Sequence, residues 1–147
     1  MNEIDLVTIR FARTEDLAAI ENFLRPFIEG ELLVPRTGGE LLMLIRNGFV
    51  AEQENQIVGF AAVEIYSPKL AEVQCLAVDS RLQKRGIGKK LIEQCVQRAS
   101  ERGVRELMAI TTSDNLFMSC GFDYSLPNQK RALFVQTWHE DHGTPGN

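Results

Sequence analysis

The chain has 147 residues, 44% of them hydrophobic and 24% charged, which predicts one folded domain with a single hydrophobic core and excludes a disordered chain. Its formal net charge of -4 at pH 7 and isoelectric point near 5.2 argue against general nucleic-acid binding, because neutralising phosphates requires a basic face. No apolar run approaches the roughly 20 residues of a membrane helix, so we expect no membrane partner.

The chain begins with a predicted strand and a predicted helix. Residues 7–11 alternate in polarity, as a half-buried strand does. Thr14 is placed to cap the following helix, whose first turn carries acidic residues that suit the positive end of the helix dipole. Pro26 is expected to end or bend this helix.

A second helix and a β-hairpin follow. The helix is predicted over about residues 39–46 and stops at Asn47-Gly48. Residues 49–52 and 57–63 are apolar runs on either side of Glu54-Asn55, a pair that suits a tight turn between two antiparallel strands.

The second half predicts a strand–helix–strand unit followed by short elements. Strands are predicted at residues 72–78, 105–112 and 133–137, a turn and a long amphipathic helix at 82–102, and a short helix at 115–119. Together with the hairpin, this order predicts a single mixed α/β (α+β) domain. We place the domain at residues 1–138 and a polar tail at residues 139–147.

Cysteines and histidines give no sign of disulfides or metal. The three cysteines form no CxxC pair, and the acidic first residues do not resemble a signal peptide. We therefore expect reduced thiols and a cytoplasmic location. Both histidines lie in the polar tail without Cys or His partners nearby, so no metal site is predicted.

The most informative stretch runs from the strand end at Val78 to a helix that starts near Gly86. Gly86 and Gly88 lie in the first helical turn, where a ligand can approach backbone N–H groups without meeting a Cβ. These N–H groups have no partner inside the helix and lie at the positive end of its dipole. The pattern therefore predicts an anion site suited to phosphate or pyrophosphate.

Basic residues are dense around these glycines, namely Arg81, Lys84, Arg85, Lys89 and Lys90. In an acidic protein this density indicates either a site for a polyanionic ligand or a solvated face, and the flanking strand and helix favour the ligand. Two common nucleotide motifs do not fit. A P-loop needs Ser or Thr where Lys90 stands, and a dinucleotide fold needs three spaced glycines early in a βαβ unit.

The motif Gln83-x-x-Gly86-x-Gly88 resembles the pyrophosphate-binding motif of the GNAT family of N-acetyltransferases. The order of elements is similar too, including a Gly121-Phe122 turn after a short helix, and the resemblance spans Val7 to about Thr137. It implies a single-domain GNAT fold with a mixed central sheet, splayed parallel strands and flanking helices. It also implies acetyl-CoA as cosubstrate, with no metal.

In this family the pantetheine arm lies between the two splayed parallel strands, which would be residues 72–78 and 105–112. The resemblance implies that backbone groups of Leu76 and Val78 pair with the pantetheine amides. It further implies that the cosubstrate is bound by Gln83, Lys84, Arg85, Gly86, Ile87, Gly88, Lys89, Asn115 and Phe117.

Family members transfer the acetyl group directly to a neutral amine, and a base can assist its deprotonation. The resemblance favours Glu72 as this base and Glu64 as a less favoured rival, while a rim carboxylate in a salt bridge is the alternative role for Glu72. Many relatives carry a Tyr as proton donor to the leaving thiolate where this chain has Phe117, which cannot donate. Tyr66 and Tyr124 are other donors, without positional support.

The segment from Gly30 to Thr37 resembles one in the acetyltransferase domain of N-acetylglutamate synthases, which acetylate the α-amine of L-glutamate. An acidic acceptor requires fixed cations, and bidentate arginine is best suited. The resemblance implies substrate-binding roles for Arg36, Lys69, Thr111 and Arg131. Each cation also fits a plain surface charge.

Three functions stay open from the sequence: amino-acid N-acetylation, transfer to another amine such as a polyamine, a drug or a protein N-terminus, and non-catalytic acyl-CoA binding by a regulator. Two departures from the synthases bear on the first. Trp138-His139 stands where they carry Arg-Ser, and their kinase-like domain is missing, so arginine feedback is not expected. Homodimers are common in the family.

Overall fold

The computed structural model describes residues 6–125 and 128–137. The strands of this part of the chain are β1 (Thr8–Phe11), β2 (Gly48–Gln53), β3 (Gln56–Ile65), β4 (Leu70–Val78) and β5 (Glu106–Met108). Its α-helices are α1 (Leu17–Glu29), α2 (Gly38–Ile45), α3 (Ile87–Glu101) and α4 (Asp114–Met118). Short 3-10 turns at Thr14–Asp16 and Ser80–Leu82 precede α1 and α3.

The strands form one mixed sheet in the order β1-β2-β3-β4-β5. Strands β1 to β4 pair antiparallel, whereas β4 and β5 pair parallel. A parallel pair cannot be joined by a tight turn, and here α3 makes the crossover. The predicted mixed sheet with a strand–helix–strand unit is confirmed.

The predicted hairpin between β2 and β3 is confirmed. Gln53 pairs with Gln56, and the two residues between them, Glu54 and Asn55, have φ angles of 50° and 64°. Two consecutive left-handed residues form a type I′ turn, whose twist matches that of the flanking strands.

Helices cover both faces of the sheet. On one face the core is formed with α1 and α2, and includes Ile20, Leu24, Leu44, Val50 and Phe60. On the other face the core is formed with α3, and includes Leu91, Ile92, Cys95, Val63 and Val73. Burial of each large apolar side chain contributes about 1.5–3 kcal/mol, so these two cores hold β3 and β4 firmly between the helix layers.

Helix α1 differs from the prediction at two points. Thr14 does not cap it, because a 3-10 turn intervenes and Asp16 stands before the first helical residue. The Asp16 carboxylate is engaged by Arg10 at 2.8 Å. Pro26 does not end the helix, which continues to Glu29. Pro26 is exposed, so solvent can bond the carbonyl that the proline ring leaves without a donor.

Two strand predictions are wrong. β5 covers Glu106–Met108 instead of residues 105–112, because its pairing with β4 ends at Met108. Residues 133–137 form no strand; their side chains are exposed, and no ladder within the described ranges includes them. A strand without a neighbour cannot satisfy its backbone groups through a ladder.

Some predictions fall on residues 126–127 and 138–147, which lie outside the described part of the chain. They include the domain limit at residue 138, the polar tail and the Trp138-His139 departure. Among the helices of the described ranges, none combines the length and apolar character needed to cross a membrane. Cys75, Cys95 and Cys120 are free thiols.

Gly59 of β3 is required by the packing between the sheet and α3. A Cβ at this position would lie 3.0 Å from Ala51 Cβ and 3.1 Å from Leu91 Cδ1. Gly59→Ala is therefore expected to lower the free energy of unfolding by about 1–3 kcal/mol, measured by chemical denaturation. The control is Gly38→Ala, where nothing lies within 4 Å and the helical position favours alanine, so no loss is expected. Equal unfolding midpoints for Gly59→Ala and the wild type would contradict this packing.

Candidate active site

Strands β4 and β5 form a wedge that opens toward their carboxyl ends. Their parallel pairing covers residues 70–72 against residues 106–108. Beyond this point β4 continues through residues 73–78 without a β5 partner. At about 3.3 Å per residue this stretch spans roughly 20 Å, and its unpaired side presents backbone N–H and C=O groups. The predicted splay of the two parallel strands is therefore present.

A β-bulge lies in the unpaired stretch of β4. The register against β3 slips by one residue there, so that Cys75 and Leu76 together oppose a single residue. Cys75 has a φ of 60°, which non-glycine residues rarely adopt. The slip also exchanges the faces of the strand: Val73 packs in the α3 core, whereas Cys75 packs in the core of α1 and α2.

The turn after β4 is tied to the open end of the wedge. Asp79 N donates to Val58 O of β3 at 2.8 Å, so the carbonyl of Val78 in the same peptide points to the other side, into the wedge. Gln83 Nε2 donates to this carbonyl at 3.1 Å. A carbonyl oxygen has two lone pairs, so Val78 keeps a free acceptor position for a second donor.

The start of α3 has the open backbone that an anion site requires. Gly86 precedes the first helical residue with a φ of 87°, and a Cβ there would meet no atom within 4 Å. A Cβ on Gly88 would lie 3.5 Å from Leu116 Cδ2 and 3.8 Å from Val78 Cγ2, both ordinary contacts. The N–H groups of this first turn have no partner inside the helix, and the two glycines leave the backbone next to them without a side chain.

Cations surround this helix start. Arg81 Nε pairs with Asp79 Oδ1 at 3.2 Å, and the bonds from Arg81 lower the pKa of Asp79. Lys84, Lys89 and Lys90 are exposed and have no acidic partner in the described ranges. The surface around Gly86 is thus suited to a ligand that carries several negative charges.

Glu72 lies at the apex of the wedge, where pairing with β5 ends. It is 8% exposed, and it is the only charged residue that is buried among those described. Glu64 stands directly opposite it on β3. Directly opposed like charges destabilise a sheet, and such local conflicts are expected at functional sites.

A tyrosine hydroxyl links the two carboxylates. Tyr66 Oη donates to Glu72 Oε1 at 2.6 Å and lies 3.5 Å from Glu64 Oε1. Burial of the hydroxyl end and the hydrogen bond to Glu72 raise the pKa of Tyr66 to about 12. Tyr66 therefore keeps its proton at neutral pH and orients the Glu72 carboxylate.

Gln74 and Arg36 extend this network toward the loop between α1 and α2. Gln74 Nε2 donates to Glu64 Oε1 at 3.2 Å, and Arg36 Nη2 donates to Gln74 Oε1 at 2.6 Å. Arg36 Nε is buried and has no hydrogen-bond partner in the part of the chain that the structure describes. The Cys75 thiol lies next to this guanidinium: burial raises the pKa of Cys75, and Arg36 partly offsets that rise.

Two cavities meet at Arg36. The smaller, of about 340 Å³, lies between α1 and the loop before α2, and Cys75 contributes to its lining. The larger, of about 570 Å³, lies beside Glu64 and the carboxyl ends of α2 and α3. Both are lined by Arg36, and the larger is also lined by Glu64. They therefore adjoin the Glu72 cluster (Glu72, Glu64, Tyr66, Gln74 and Arg36) through these residues, and each offers room for a small acceptor.

Comparison with known proteins assigns the family. The profile of the acetyltransferase (GNAT) family matches residues 17–122, a range that includes the wedge and the helix start beyond it. The chain belongs to the GNAT family of acetyltransferases. This GNAT enzyme is 32% identical over 114 residues to an uncharacterized N-acetyltransferase of Chlorobaculum tepidum, covering 78% of this chain and 74% of that protein.

The GNAT enzyme is also similar to longer proteins. It is 30% identical over 131 residues to the amino-acid acetyltransferase of Aeromonas salmonicida, which covers 85% of this chain. It spans 30% of the length of that relative. Matches of about this length recur in the amino-acid acetyltransferases of several other bacteria.

Two solved structures show the same GNAT fold. N-acetylglutamate synthase from Neisseria gonorrhoeae, complexed with coenzyme A and N-acetyl-glutamate, superposes with a TM-score of 0.68 and 27% identity over 77% of this chain and 27% of that one. An aminoglycoside acetyltransferase from a soil metagenomic sample, in complex with trehalose, superposes with a TM-score of 0.67 and 25% sequence identity. The match covers 95% of this chain and 99% of that one.

Acetyl-CoA is the cosubstrate of this GNAT enzyme, as the sequence predicted. The residues present fit it: the open cradle at Gly86 has the space and charge for a pyrophosphate, and the unpaired side of β4 suits an extended amide chain. Residues 6–125 and 128–137 contain no group of three or more His, Cys, Asp or Glu that could hold a metal ion.

Several predicted site residues make no contact with the Glu72 cluster among the contacts that the structure shows. Lys69 and Arg131 are exposed, and the Thr111 hydroxyl accepts from Ser113 N at 2.8 Å. Asn115 is exposed on α4, while Phe117 is buried and packs edge-on against Phe122 with 5.1 Å between ring centroids. Their binding roles stay predictions.

The sequence analysis did not identify Gln74 as a site residue, and it offered Tyr66 only as a proton donor without positional support. Alternation offered a signal, since Glu64 and Tyr66 share one face of β3 and its extension, and Glu72 and Gln74 share one face of β4. Placing these four side chains together required the cross-strand register, which pairs Glu64 with Glu72.

Proposed function

We propose that this enzyme transfers the acetyl group of acetyl-CoA to the α-amine of an acidic amino acid, glutamate or a close relative. Arg36 carries the proposal, because its guanidinium is bonded to Gln74 beside Glu64 and lines both cavities. The likeness to proteins named amino-acid acetyltransferase, and to a synthase structure holding N-acetyl-glutamate, supports the same substrate class.

Arg36 is suited to hold the carboxylate of the acceptor. A guanidinium presents five N–H donors in a rigid fork that matches a carboxylate. The bond to Gln74 Oε1 uses one of these donors and fixes the orientation of the fork. Because Nε has almost no accessible surface, a bound carboxylate would be held by the Nη donors of the fork.

Glu72 is suited to accept the proton of the attacking amine. Acetyl-CoA supplies the acetyl group as an activated thioester. As the new C–N bond forms and the C–S bond breaks, the electron pair leaves with the sulfur and the amine proton passes to Glu72. Tyr66 holds the carboxylate in place throughout. Phe117 has no proton to give, so the leaving sulfur either takes its proton from solvent or departs as the thiolate.

Arg36→Ala is expected to lower kcat/KM for acidic amino acids about 10- to 100-fold. Hydrogen bonds to charged groups contribute about 1.5–3 kcal/mol, which corresponds to this factor. Thiol release from acetyl-CoA, measured over a panel of L-glutamate, L-aspartate, L-glutamine, a polyamine and an aminoglycoside, tests the prediction.

Two further variants sharpen this test. Arg36→Lys keeps the positive charge but not the two-pronged guanidinium, so we expect a loss in kcat/KM that is smaller than that of Arg36→Ala. Arg13→Ala removes an exposed arginine away from the site and should leave turnover unchanged. If Arg36→Ala turns over every carboxylated amine as fast as the wild type, the proposed substrate class is wrong.

A polycationic amine such as an aminoglycoside is the second candidate acceptor. Glu21 and Glu29 line the smaller cavity and would attract amino groups. The likeness to an aminoglycoside acetyltransferase over 95% of this chain favours the same candidate. Faster turnover of the aminoglycoside than of any amino acid, reduced by Glu21→Gln, would establish it.

A further inference from the structure

The larger cavity beside Arg36 carries a surplus of positive charge. Its lining contains three arginines, Arg36, Arg46 and Arg102, against two glutamates, Glu40 and Glu64. An open cavity with this balance favours an anionic ligand over a cationic one.

The two carboxylates of this cavity are already engaged. Glu40 accepts from Thr37 N at 2.8 Å in the cap of α2, which lowers the pKa of Glu40. Glu64 accepts from Gln74 at 3.2 Å. The side chains of Arg46 and Arg102, in contrast, have no hydrogen bond or ion pair with any described residue. Three arginines against two carboxylates leave one net positive charge, and Arg46 and Arg102 are the cations that no described residue pairs.

The cavity lies at the opposite end of α3 from the anion site. Gly86 precedes the first residue of α3, and Arg102 follows the last. The helix has 15 residues and is thus roughly 22 Å long. Glu72 lies at the wedge apex between these ends, and its partner Glu64 lines the cavity. An acceptor in the cavity and acetyl-CoA at Gly86 would thus approach Glu72 from different directions.

The smaller cavity does not offer the same charge. Arg25 lines it together with Glu21 and Glu29, which stand one helical turn before and after Arg25 on α1. Residues four apart on a helix face each other, so the charge of Arg25 is offset locally. An anionic group of the acceptor is therefore better accommodated in the larger cavity.

We propose that Arg46 and Arg102 form a subsite for a second carboxylate of the acceptor, remote from the reacting amine. This inference rests on the proposed function, in which Arg36 holds the first carboxylate near Glu72. It assigns the acceptor to the dicarboxylic amines and makes the larger cavity the determinant of that choice.

A purely structural role for the two arginines predicts a different result. Arg46 and Arg102 are the C-cap residues of α2 and α3, where a cation stabilises the helix through its dipole. Loss of that stabilisation would lower the melting temperature but would not change the preference between two acceptors of equal shape. The ratio of kcat/KM for two acceptors of equal shape and different charge is therefore the informative measurement.

The test compares L-glutamate with L-glutamine, which differ in side-chain charge but hardly in shape. We expect the wild type to favour L-glutamate at least about tenfold in kcat/KM. The double variant Arg46→Gln/Arg102→Gln should lose this preference, mainly through a higher KM for L-glutamate, while turnover of L-glutamine changes little. Arg25→Gln, an arginine of the smaller cavity, is the matched control and should keep the wild-type ratio.

Each outcome decides the question. Loss of the preference in the double variant alone supports the subsite. A preference that survives the double substitution overturns the subsite while the proposed function stands. A wild type that treats both acceptors alike overturns the subsite and the acidic acceptor of the proposed function. Failure of the wild type to acetylate any amino acid, despite binding acetyl-CoA by calorimetry, overturns both.

Discussion

Gly88→Asp is expected to weaken the binding of acetyl-CoA at least about a hundredfold. We propose that the pyrophosphate lies against the first turn of α3, where the new carboxylate would stand beside it. Two unit charges 4 Å apart at an effective dielectric constant of 20 repel by about 4 kcal/mol, which exceeds a hundredfold effect. Isothermal titration calorimetry with acetyl-CoA measures the loss directly.

The fold should tolerate this substitution. A Cβ at Gly88 makes only ordinary contacts, with Leu116 and Val78, and an acidic residue in the first turn suits the helix dipole. Gly88→Asn has the same shape without the charge and should bind acetyl-CoA far better than Gly88→Asp. Gly86 is the poorer choice, because its φ of 87° would add strain to any substitution. Unchanged affinity in Gly88→Asp would show that the diphosphate binds elsewhere.

Glu72→Gln is expected to lower kcat by about 100- to 10,000-fold, the usual range for loss of a general base, with the affinity for acetyl-CoA nearly unchanged. Glutamine keeps the shape and can still contact Tyr66, but it cannot accept a proton from the amine. Initial rates of thiol release, together with calorimetry of acetyl-CoA binding, separate the chemical step from binding.

Glu64→Gln is the matched control, since Glu64 opposes Glu72 across the strand pair and also lies near the Tyr66 hydroxyl. It is expected to retain most activity, and relief of the like-charge pair should not lower stability. Tyr66→Phe should give a smaller loss than Glu72→Gln, because it removes only the orienting bond of 2.6 Å. A larger effect at Glu64 than at Glu72 would transfer the role of base to Glu64.

Local signals were sufficient for the parts of the fold that depend on neighbours in sequence. The Glu54-Asn55 pair predicted the β2–β3 turn because two left-handed residues are a local requirement. Gly86, which also has a positive φ, predicted the start of α3. The candidate base Glu72 followed from the resemblance, and its role stays a prediction; its burial and its contact with Tyr66 were not predicted.

Non-local features were not available from the sequence. The end of β5 at Met108 depends on where it diverges from β4, and no residue type in the predicted strand of residues 105–112 marks that point. The contact of Arg36 with Gln74 joins residues 38 positions apart, and Arg46 and Arg102 share a cavity only because α2 and α3 end at the same edge of the sheet. Such juxtapositions come from topology, which local pattern does not encode.

The unpaired side of β4 has a consequence for the lifetime of the enzyme. Residues 73–78 have no β5 partner on this side, and an extended ligand that bonds to their backbone groups would complete the sheet. Ligand that binds only the folded chain at 100 times its Kd adds about 2.7 kcal/mol to the folding free energy. Resistance to heat and to proteolysis would then increase with the concentration of acetyl-CoA. A low concentration of acetyl-CoA would therefore also shorten the half-life of the enzyme.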